Sequence, residues 1–191
     1  MTLDQYSSLL VVGSSGLFVL LVVIAMLSFV SSSIRDRLNL VPYHWYIGAI
    51  ASVSIAAILG SLVFQLVYET PVCELCWWQR IFLYPISVIA LVALWYRSRE
   101  THITIAILSA LGLWYAGYHY YFHFQRFVLG NTLSLPCSYG GLMPACTDSP
   151  ILVFGFATIP FMGIMLFGSM LMLALLAHIA LKADQNGVRE R

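Results

Sequence analysis

Charge is what this chain has least of. Only 9% of its 191 residues are Asp, Glu, Lys or Arg, while 61% are hydrophobic. A soluble domain carries about a quarter charged residues. So few charges cannot cover a water-facing surface, which excludes a soluble globular domain and makes lipid the solvent for most of the chain. The nine Lys and Arg form no patch or stripe and the net charge is +1, so nucleic acid is excluded as a partner. Repeats of solenoid length and low-complexity tracts are absent as well. Cations are missing from residues 1–8 but follow the first apolar run, at Arg35 and Arg37. A signal peptide has the reverse order, so a retained anchor is expected.

What is present is a set of five long gaps in the charge map: Leu9 to Val30, about Tyr46 to Tyr68, Ile81 to Tyr96, Ile103 to Phe124, and Ile151 to about Leu181. A crossing needs roughly 20 apolar residues at about 1.5 Å each. Four gaps meet this. The third, bounded by Arg80 and Arg97, is short, and spans if Trp77 and Trp78 sit at the interface and Arg80 snorkels. Backbone in lipid must satisfy its own hydrogen bonds, so the spans are expected to be helices. The fold class expected is an all-α integral membrane protein: a four-helix transmembrane bundle plus one extra N-terminal transmembrane helix. Residues 1–45 form an anchor and cytoplasmic loop, 46–181 the bundle, and 182–191 a cytoplasmic tail.

Arg35, Arg37, Arg97, Arg99, Lys182, Arg189 and Arg191 all fall on one side of such a five-span chain, seven of the nine cations. The positive-inside bias makes that side cytoplasmic and puts the N-terminus outside a cell membrane. Two spans separate Cys73 and Cys76 from Cys137 and Cys146, so all four cysteines are expected on the outer face, where disulfides persist. The long loop Gln125–Pro150 carries the second pair among turn residues such as Gly130, Pro136 and Pro144.

A thiolate is favoured at a helix N-terminus and beside a cation. With span three starting near Trp77, Cys76 sits at its positive end and Arg80 follows at i+4 on the same face. Glu74 works against an anion on Cys73. Cys76 is therefore expected to react with an electron acceptor, and Cys73 to be the more exposed partner that exchanges with another disulfide. A four-cysteine zinc site competes, but eight residues separate Cys137 from Cys146 where such sites have two to four. A stapling Cys137–Cys146 bridge would add about 2.7 kcal/mol, which a membrane bundle scarcely needs. Arg80 alone would read as an interface anchor. His119 and His123 share a helical face and could ligate haem or a metal together with cysteines, or be polar groups at the interface.

The segments "CELCWWQRIFLYP", "PCSYGGLMPAC" and "FGFATIPF" resemble the DsbB family of membrane disulfide-formation proteins, in its BdbC-type branch, over about residues 46–181. The resemblance implies a four-helix bundle that reoxidises a thioredoxin-like extracytoplasmic thiol oxidase of the DsbA/BdbD type and passes electrons to a membrane quinone, menaquinone or ubiquinone. It implies that Cys137 and Cys146 form the partner-facing disulfide, with Cys137 the site of the mixed disulfide. Cys73 and Cys76 would form the membrane-proximal pair, Cys76 facing the quinone and Arg80 beside a quinone carbonyl. His119 or His123 would complete the quinone site. Three features depart from the pattern: the extra first span, Gln79 where some members carry Glu, and the short second cysteine spacing.

Overall fold

The computed structural model describes residues 1–98, 100–130 and 151–189. Helices account for nearly all of them: α1 (Leu3–Val30), α2 (Ser32–Asn39), α3 (Tyr43–Leu66), α4 (Glu74–Tyr96), α5 (Thr101–Phe127) and α6 (Ile159–Arg189). Four stretches are long and apolar enough to cross a membrane: Leu3–Ser28, Tyr43–Leu66, Glu74–Tyr96 and Ile159–Lys182. The chain is a helical, multi-pass membrane protein, as its composition requires.

α5 is as long as the others, at 27 residues, but histidines and tyrosines dilute its apolar character. Its packing explains why that is tolerated. His102, Ser109, His119 and His123 are buried, so the polar groups face protein and the apolar groups face out. α5 also lies antiparallel to α6 from end to end. His102 near its start meets His178 late in α6, and Tyr120 near its end meets Phe161 early in α6.

The helices α3, α4, α5 and α6 contact one another in a closed ring, and α1 packs on the outside against α6. The core inside the ring includes Ile47, Ile50, Ile86, Ile105 and Met170, all essentially inaccessible. The five long helices, α1, α3, α4, α5 and α6, alternate in direction. One end of the bundle therefore gathers the starts of α1, α4 and α6 and the ends of α3 and α5. At that end a tight turn precedes α6, where Val153 and Ala157 exchange hydrogen bonds of 2.8 and 2.9 Å. It is held by apolar contact of Ile151, Val153 and Ala157 with Val11, Phe64 and Met162, and Tyr120 donates to the carbonyl of Phe156 at 3.2 Å.

The third crossing differs from its reading in the sequence. α4 starts at Glu74 rather than near Trp77 and runs 23 residues, about 34 Å. Arg80 lies inside it instead of closing it off. The side chain does not snorkel: it is 7% exposed and turns toward α3. A charge that finds partners within the protein need not end a span, and that is why the charge gap looked too short.

Candidate functional site

Cys73 is the N-cap of α4. In that position the backbone is still extended and the side chain folds back over the first turn. Its sulfur accepts the N–H of Cys76 at 3.4 Å. Cap and third residue thus come together, and the two Sγ atoms lie 2.8 Å apart. A sub-ångström approach separates this from a disulfide, whose bond is about 2.05 Å. The spacing Cys-x-x-Cys at a helix start is therefore a geometry in which a bond can form and break with little backbone movement.

Two expectations change here. The positive end of the helix acts on the capping sulfur of Cys73 rather than on Cys76, because the helix begins three residues earlier than its first tryptophan. Cys73 is also the covered member of the pair, 6% exposed, while Cys76 is half-buried. α5 is what covers it: His119 places Nε2 3.7 Å from the Cys73 sulfur. The other ring nitrogen, Nδ1, is 3.2 Å from Nε2 of Gln79. A side-chain amide nitrogen only donates, so Nδ1 accepts and the imidazole proton sits on Nε2, facing sulfur. Gln79 is held in turn by α6. A Cβ on Gly163 would fall 2.6 Å from its Oε1, so only glycine lets α6 come this close. His123 stands one turn behind, its ring edge-on to His119 at 4.6 Å between centroids and backed by Phe127.

Arg80 follows Cys76 by one turn. It donates from Nη1 to Oε1 of Gln65 at 2.6 Å and from Nη2 to the carbonyl of Ser61 at 3.1 Å, both on α3, and its guanidinium lies 5.4 Å from the centre of the Trp77 ring. These partners are all neutral, so the cation stays a source of positive potential in a low-dielectric setting. Gln65 was not singled out from the sequence, although it is the one amide side chain in the second charge gap. Cys76, Gln79 and Arg80 line a cavity of about 310 Å³ bounded by α1, α3, α4 and α6, whose other walls are mostly aliphatic. His119 and His123 do not line it. The structure thus divides the expected residues into two groups on either side of α4. Cys73, His119 and His123 lie toward α5, Cys76 and Arg80 toward the cavity, and Gln79 touches both.

Cys137 and Cys146 lie outside the described residues. The chain on either side of residues 131–150, at Leu129–Gly130 and at Ile151, is at the Cys73 end of the bundle.

A thiol pair, one member buried and the other half-buried, at the end of a bundle of lipid-length helices with a cation one turn away is the arrangement a helical membrane disulfide oxidoreductase needs. Comparison with known proteins agrees. The family model "Disulfide bond formation protein DsbB" matches residues 43–179. The chain is 34% identical over 113 residues to a probable disulfide formation protein of Coxiella burnetii (strain RSA 493 / Nine Mile phase I), covering 59% of this chain and 73% of the relative. It is 33% identical over 115 residues to disulfide bond formation protein C of Bacillus subtilis (strain 168), covering 60% and 79%. With the SPbeta prophage-derived disulfide bond formation protein B of the same organism it shares 33% over 109 residues, 57% and 69% of the two chains. No solved structure matches. The chain belongs to the DsbB family.

Proposed function

We propose that this protein reoxidises a thioredoxin-like extracytoplasmic partner and passes the electrons to a membrane quinone. The observation that carries the reading is the cavity shared by Cys76 and Arg80. It is small, within the usual range for small-molecule sites, mostly apolar, and has one thiol and one cation on its wall. Those features suit a flat apolar ring bearing carbonyl oxygens. When bound, the quinone supplies a two-electron, two-proton oxidant for the dithiol and leaves as a quinol.

The protein's own residues do the rest by thiol exchange. The partner's thiolate attacks the Cys137–Cys146 disulfide at Cys137. The partner's second thiolate resolves the mixed disulfide, so the partner leaves oxidised and Cys137 and Cys146 are left as thiols. One of these attacks the Cys73–Cys76 disulfide, and the other completes the exchange, leaving Cys73 and Cys76 reduced. His119 offers Nε2–H to the Cys73 sulfur and so stabilises negative charge there. Arg80 does the same for charge that develops in the cavity beside Cys76. In this reading the N-terminus, the thiols and the partner share the outer face of the cell membrane, with the C-terminus cytoplasmic. All four cysteines, with Arg80, His119 and His123, belong to the site.

The test is quinone-coupled oxidation of a reduced thioredoxin-like protein by the purified chain, followed by loss of quinone absorbance. Cys73→Ser or Cys76→Ser is expected to abolish it; turnover that survives either change would rule the proposal out.

A metal-binding reading has one observation in its favour: ligand atoms of Cys73, Cys76 and His119 all lie within 4.8 Å of one another. The sulfurs, however, are 2.8 Å apart. Two sulfurs at about 2.3 Å on a tetrahedral ion stand roughly 3.7 Å apart. Metal analysis of the purified protein separates the readings, since a stoichiometric ion lost with either cysteine would favour this one.

A further inference from the structure

The family match begins at residue 43, so α1 lies wholly outside it. As an anchor alone, α1 would need only an apolar surface toward lipid. Instead it is docked along the bundle. Tyr6 donates to the carbonyl of Gly60 at 3.2 Å and packs against Phe64 and Tyr68. Val11 and Leu21 are buried, the first in the cluster at the Cys73 end and the second in the main core. Phe18 lies against Gly168, where a Cβ would come within 2.6 Å of its ring. These four contacts, spread along α1 from Tyr6 to Leu21, fix both its height and its rotation.

That rotation turns Leu10, Gly13, Ser14 and Leu17 toward the cavity that holds Cys76 and Arg80. The spacing is i, i+3, i+4, i+7, one helical face. The Ser14 hydroxyl donates to the carbonyl of Leu10 at 2.7 Å, so its donor is spent within its own helix. A Cβ on Gly13 would meet nothing within 4 Å, so the space in front of it is open. The α1 face therefore offers shape and apolar surface, while the polar side chains with groups left to offer the cavity come from α3, α4 and the turn between them, which carries Thr70.

We infer that α1 is the outer wall of the acceptor cavity and that Gly13 sets how large an acceptor it admits. This rests on the reading of the cavity as the quinone site. Without α1, that face of the cavity would be open to lipid. With it, the acceptor is held against Cys76 by a helix that belongs to this chain and lies outside the family match.

The experiment uses the full chain in lipid nanodiscs, with a one-isoprene benzoquinone as acceptor and a reduced thioredoxin-like protein as donor. Gly13→Leu should raise the quinone KM at least about tenfold, equivalent to roughly 1.4 kcal/mol of lost binding. Gly16→Leu is the control: it is the same change one turn along, its Cβ also meets nothing within 4 Å, and it does not line the cavity. It should leave the KM unchanged. Replacing glycine by leucine in a helix favours the helix, so both variants should fold, and their melting temperatures verify this. If wild type reduces the quinone and the two variants share the wild-type KM, the α1 inference is wrong and the quinone reading stands. If wild type does not reduce the quinone at all, the quinone reading fails and takes this inference with it.

Discussion

At the scale of residues, burial separates two cysteines that look alike in sequence. Cys73 is covered by His119, while Cys76 opens on the cavity. In the reduced protein a maleimide should therefore modify Cys76 at least severalfold faster than Cys73, read by mass spectrometry after brief exposure; equal rates would contradict the placement of α5 over Cys73. Arg80 makes a comparable point. Its guanidinium bonds in two directions at once, to Gln65 and to the Ser61 carbonyl. Lysine carries the charge but not the fork. Arg80→Ala should raise the quinone KM strongly, with direct thiol exchange between partner and cysteines still measurable, and Arg80→Lys should restore only part of the loss. A full rescue by lysine would mean that charge alone matters.

The elements meet at Gln79. α4 supplies the amide, α5 the imidazole it bonds, and α6 the glycine that leaves it room. In Gly163→Ala the new methyl group would displace the amide or push α6 away. Either response breaks the bond to His119 and leaves a buried imidazole nitrogen without its donor, a cost of about 1–3 kcal/mol. A lower melting temperature and slower disulfide exchange at Cys73 are expected together. An alanine variant with wild-type values for both would show that α6 does not set the position of Gln79. Some of this was legible beforehand. The i+4 relation of Cys76 to Arg80 and of His119 to His123 follows from helical periodicity alone. The start of α4 was misplaced because Arg80 and the two tryptophans look like a membrane boundary when no partner for the cation is in view.

For the whole molecule, alternating helix direction puts Cys73, Cys76 and both flanks of residues 131–150 at one end, and the His102–His178 pair, 2.9 Å apart, at the other. After brief treatment with an impermeant reductant, an impermeant thiol reagent applied to intact cells should label Cys137 and Cys146. It should miss a cysteine placed at Ser98, beyond the far end of α4. Labelling of Ser98→Cys alone would invert the proposed orientation and remove the thiols from the oxidising side. The sequence by itself determined the solvent, the helices, the crossing lengths of α1, α3 and α6, and the thiol pair at a helix start. These depend on composition and on spacing within a single helix. Only the tertiary structure decided which cysteine is covered, which histidine reaches sulfur, that Arg80 turns inward, and that α1 walls the cavity. Those outcomes depend on which faces of separate helices meet, as when Cys73 and His119, 46 positions apart, come together through packing that no local pattern encodes.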